Sequence, residues 1–77
     1  MTPANLRSFI LEINAQHATR QYPQQANRLT KIQADGLYRE LQLALRQEPE
    51  PLEQTKLLKA WQDLRDLGFD TELDPRE

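Results

Sequence analysis

Seventy-seven residues hold a single domain, and with no cysteine among them a disulfide framework and a thiolate metal site are both excluded. The 12 acidic and 10 basic side chains leave a net charge of −2, a poor basis for general adhesion to nucleic acid, which requires phosphates to be neutralised. That charge is unevenly spread: residues 1–46 carry six basic and three acidic groups (+3), and residues 47–77 carry four basic and nine acidic groups (−5).

The first predicted helix covers residues 3–20. Thr2 caps free amides and Pro3 occupies the first helical position, where no backbone donor is needed. Leu6, Phe9, Ile10 and Ile13 recur at helical spacing and form its apolar stripe, which His17 continues one turn later. Leu11 stands about 100° from that stripe; it is an isolated exposed apolar side chain or part of a second contact surface. Phe9-Ile10-Leu11 is too short for a signal peptide and is interrupted by Glu12. No stretch approaches the ~20 apolar residues of a membrane span. Thr2 stands where myristoylation needs glycine, and the last residues include no cysteine to prenylate. A soluble, cytoplasmic protein without membrane association is therefore expected.

Tyr22-Pro23 ends this helix, and the second is predicted over residues 24–47. Ala26, Leu29, Ile32, Leu37, Leu41, Leu43, Ala44 and Leu45 cover well over half of its circumference. So wide an apolar face predicts a long central helix with a neighbour on each of two sides. Gly36 interrupts it at ~1 kcal/mol relative to alanine, which fits close helix–helix packing better than a hinge. What remains is one polar strip: Arg28, Lys31, Asp35, Arg39, Gln42 and Arg46, each three or four residues after the last. Tyr38 borders the strip, with its hydroxyl facing water or a partner.

Glu48-Pro49-Glu50-Pro51 separates the second helix from a third over residues 52–67. Leu57, Ala60, Trp61 and Leu64 form its apolar face, flanked by Leu58 and Leu67, and Trp61 reads as core. Lys59 and Asp63 lie one turn apart, a spacing that permits an ion pair. Gly68 closes the helix in the left-handed conformation, and Phe69 folds back near Leu64. Residues 70–77 read as a flexible acidic tail appended to a domain of residues 1–69. A tail folded over the basic strip, competing with an acidic partner, is the disfavoured alternative because of the reach it demands.

The fold expected is all-α: a three-helix antiparallel bundle, or else a helical hairpin completed by dimerisation. Catalytic groupings are missing. His17 is the single histidine and lies on an apolar face; Ser8 is the single serine; Gly36 and Gly68 are the only glycines, so no phosphate-cradling loop is present. Neither a metal nor a cofactor is expected. The exposed chemistry points to a non-catalytic adaptor, regulator or inhibitor that binds a protein partner through Arg28, Lys31, Arg39, Arg46 and Tyr38. Arginine suits planar contacts to carboxylate or phosphate. Nucleic-acid binding through the same strip is the second reading, weakened by Asp35 and by the lack of interleaved aromatics beyond Tyr38.

Overall fold

The computed structural model describes residues 3–16 and 21–75. Its three α-helices are α1 (Ala4–Gln16), α2 (Lys31–Arg46) and α3 (Pro51–Asp66), with a single 3-10 turn at Ala26–Arg28 between the first two. They pack as a three-helix bundle around one cluster of buried side chains. The roles assigned to Thr2 and His17, and the last turn of the first predicted helix, lie outside the described residues.

α1 buries Leu6, Phe9, Ile10 and Ile13, the four residues of its stripe. Pro3 supplies the carbonyl that accepts the first helical bond, from the Arg7 N–H at 2.9 Å. From near the end of α1, Asn14 grips the following loop with both ends of its amide. Its Nδ2 donates to the Tyr22 carbonyl at 2.9 Å, and its Oδ1 accepts from the Tyr22 N–H at 2.8 Å. This clamp lays the Tyr22 ring against Gly36 of α2. A methyl group on Gly36 would come within 2.8 Å of the Tyr22 hydroxyl oxygen. The glycine thus admits a loop tyrosine rather than a neighbouring helix.

The second helix starts later than its apolar spacing predicts, at Lys31 instead of residue 24. The cause is a capping box at Thr30. Its hydroxyl accepts from the Gln33 N–H at 3.2 Å, and the Gln33 side-chain oxygen accepts from the Thr30 N–H at 3.0 Å. These two bonds satisfy donors that a helix start leaves unpaired, so the chain gains by breaking there. Thr30 itself is extended (φ −90°, ψ 165°), and Leu29 before it reaches the core from non-helical backbone.

A further correction concerns which helix is central. α3, not α2, is the shared element: α1 and α2 each pack on it. α2 buries Ala34, Leu37, Tyr38 and Leu41, the width one neighbour needs. Ile32, counted in the wide apolar face, is 84% exposed, and Leu43 is 52% exposed. α3 meets its two neighbours with Leu57, Ala60, Trp61 and Leu64. Ala60 is fully buried, and its small side chain allows a close approach. Trp61 is core, as its spacing predicts, and meets the Tyr38 ring edge-on at 4.8 Å and 62°.

Both ends of α3 follow from local chemistry. Pro51 takes the first helical position, and Gln54 N–H bonds to the Glu50 carbonyl at 2.8 Å. At the other end Gly68 adopts φ 97°. Phe69 N–H then bonds to the Leu64 carbonyl at 3.1 Å, and Gly68 N–H to that of Arg65 at 3.0 Å. Together these form the Schellman closure that Gly68-Phe69 predicts. The α2–α3 connection carries one non-glycine residue in the left-handed region, Glu48 at φ 53°. The expected Lys59–Asp63 pair does not satisfy Asp63, whose Oδ2 is buried without a hydrogen-bond partner.

Candidate functional site

The basic strip divides between two elements. Lys31, Arg39 and Arg46 project from α2 and are exposed; Asp35 and Gln42, between them, are partly covered. Arg28 is exposed too, but it sits on the 3-10 turn before the helix start. It therefore does not continue the row, because the backbone changes direction at Leu29 and Thr30.

Tyr38, expected at the contact surface, is instead completely buried. The spacing Ala34, Leu37, Tyr38, Leu41 puts it on the apolar face. Its hydroxyl donates to the Phe69 carbonyl, a partner supplied by the chain just past α3. Burial pushes its pKa up to about 12; the nearby charges of Asp70 and Asp35 push the same way, and Arg65 opposes them. Tyr38 is an internal fastener, not a group offered to a ligand.

The segment after Phe69 lies against α2. Leu73 packs on the hydrophobic cluster, and its N–H donates to the Thr71 hydroxyl oxygen at 3.1 Å, which bends the chain. Gln42 Nε2 donates to the Asp74 carbonyl at 3.0 Å. Lys31, Asp35 and Arg39 form one wall of a cleft of about 500 Å³; Asp70, Thr71, Glu72 and Leu73 form the other. Residues read from composition as a flexible tail are thus placed beside two members of the basic strip. Their contacts rest on Thr71 and on one leucine in an otherwise acidic run, signals too local to reveal what they pack against.

A second groove, of about 710 Å³, is lined by Ile32, Leu43, Gly36 and the clamped Tyr22 together with Arg39. Arg39 and Asp35 both belong to the lining of the two depressions, so they stand on the ridge between them, with Arg39 the exposed member and Asp35 partly covered. Among the described residues no group of three or more His, Asp or Glu side chains is placed to hold a metal ion. No helix among them is long and apolar enough to cross a membrane. No protein-family model matches the chain, and neither a curated protein nor a solved structure matches it.

Proposed function

We propose that this chain is a non-catalytic interaction protein that binds an acidic protein surface through the α2 ridge. Lys31 and Arg39 are the principal contacts, with Arg46 further along the helix and Arg28 on the preceding turn. The observation that carries this reading is the position of Arg39. It is exposed on the ridge between two grooves, one walled by acidic side chains and one flanked by Ile32 and Leu43. A cation between depressions, with apolar side chains within reach, matches interfaces in which arginine and apolar anchors supply most of the binding energy. Nucleic acid is the weaker reading, because Tyr38 is buried and the ridge offers no aromatic side chain on which bases could stack.

The test compares capture of partner protein from cell extract by three full-length chains: the native one, Lys31→Glu/Arg39→Glu, and Lys56→Glu/Lys59→Glu. The second pair is exposed on α3 and serves as the charge control. Reversing the α2 pair is expected to cut recovery of the native chain's partner about tenfold, equivalent to about 1.4 kcal/mol, with the α3 pair near native. Equal recovery by the native chain and the α2 variant removes this reading. Capture of nucleic acid in place of protein removes it in favour of the second.

A further inference from the structure

We infer that the α2 cleft accepts a bent acidic peptide carrying a leucine-type anchor, and that Asp70–Asp74 is a built-in competitor for it. The inference rests on the interaction reading above and names both the partner class and its regulation. Gln42 of α2 holds the segment by its backbone, and the buried Tyr38, one helical turn earlier, fastens the chain just before it. Tyr38 donates to the Phe69 carbonyl and Gln42 to the Asp74 carbonyl. Bonds to main-chain carbonyls hold a segment of any sequence, as in other modes of peptide recognition. Selectivity therefore falls to the side chains between them. Leu73 fills an apolar position against the core, while Asp70 and Glu72 line the cleft opposite Lys31 and Arg39. Three acidic residues and one leucine in a five-residue run form the occupant, so a competing ligand needs the same two features. Asp35, on the Lys31 and Arg39 wall, limits how much negative charge the cleft tolerates and makes the apolar anchor necessary.

The Gln42–Asp74 bond is exposed and Leu73 is partly covered, so both positions are open to exchange with an external peptide. Being tethered, however, the segment acts at the high effective concentration of an intramolecular ligand. An external acidic segment must therefore bind better than Asp70–Asp74 or arrive where it has been released.

The experiment titrates a labelled, end-blocked peptide with the sequence of residues 69–75 into three full-length chains, followed by fluorescence anisotropy and amide NMR shifts. The chains are native, Asp70→Asn/Glu72→Gln, and Leu73→Ser. The first variant leaves the core untouched, so it reports even if the second is destabilised. The released charge variant is expected to bind the peptide about fivefold more tightly than the native chain, an order-of-magnitude estimate from tethered competition. The shifts should centre on Lys31, Asp35 and Arg39, and a peptide with its acids replaced by amides should bind weakly. Equal affinity for native and released chains, or equal binding of the neutral peptide, overturns the inference. If the peptide binds neither chain while extract capture still depends on Lys31 and Arg39, this inference fails and the interaction reading stands. If capture is indifferent to those residues, the interaction reading fails whatever the peptide does.

Discussion

Trp61→Ala is expected to remove most of the stability of this chain, about 3–5 kcal/mol, the usual cost of emptying a large aromatic site in a packed core. The physical reason is position. Trp61 is 5% exposed, lies on the helix against which both others pack, and holds the Tyr38 ring edge-on. Its loss leaves a cavity and an unpartnered aromatic face together. A core of this size supplies only roughly 3–5 kcal/mol in total, so the variant should be largely unfolded at room temperature. Urea denaturation followed by circular dichroism measures this without a tryptophan signal. Leu52→Ala is the matched control: Leu52 is 71% exposed on the same helix, and its truncation should change stability by less than about 0.5 kcal/mol. Similar losses from the two variants would place the core elsewhere.

Tyr38 sets the second large effect, which appears only in alkali. Its folded pKa is pushed up to about 12 from an ordinary value of 10.0. Below pH 10 neither state is ionised, so the tyrosine makes no pH-dependent contribution. Between pH 10 and 12 the unfolded chain releases the phenolic proton while the folded chain retains it, and stability falls as pH rises. The loss over that window is roughly 2–3 kcal/mol, from about 1.4 kcal/mol for each pKa unit. Tyr38→Phe should cost about 1 kcal/mol at neutral pH, through the unpaired Phe69 carbonyl. It should also abolish this alkaline step. Denaturation curves of the two proteins from pH 8 upward, a range chosen to bracket the tyrosine's ordinary ~10, measure the difference; parallel curves would mean that Tyr38 is not sealed in the core.

α1 and α3 were legible in the sequence because local pattern and tertiary need agree there. Leu6, Phe9, Ile10 and Ile13 make one stripe and bury as one, and Gly68-Phe69 closes α3 by backbone chemistry confined to six residues. The second helix misleads because Ala26, Leu29 and Ile32 keep helical spacing across a break. Thr30-Lys31-Ile32-Gln33 carries the capping-box pattern that marks the true start. Starting at Lys31 leaves Ile32 in an overhanging first turn, where its side chain meets water rather than a neighbour. Tyr38 was misplaced for a different reason. Its ring fits the apolar face of Ala34, Leu37 and Leu41 while its hydroxyl fits water, and the distant Phe69 carbonyl satisfies that hydroxyl inside the fold. The cleft wall at Asp70–Leu73 depends on contacts with residues about thirty positions earlier, which no window of local sequence contains.

The seat of that acidic segment on α2 can be measured directly. The chain has no cysteine, so Glu72→Cys provides a single attachment site for a nitroxide on an exposed residue. With the segment seated on α2, amide signals of Lys31, Asp35, Arg39 and Gln42 should broaden most, and those of Asn5 and Ser8 on α1 least. Uniform weak broadening along the chain, or the strongest effect on α1, would contradict a segment lying on the α2 ridge.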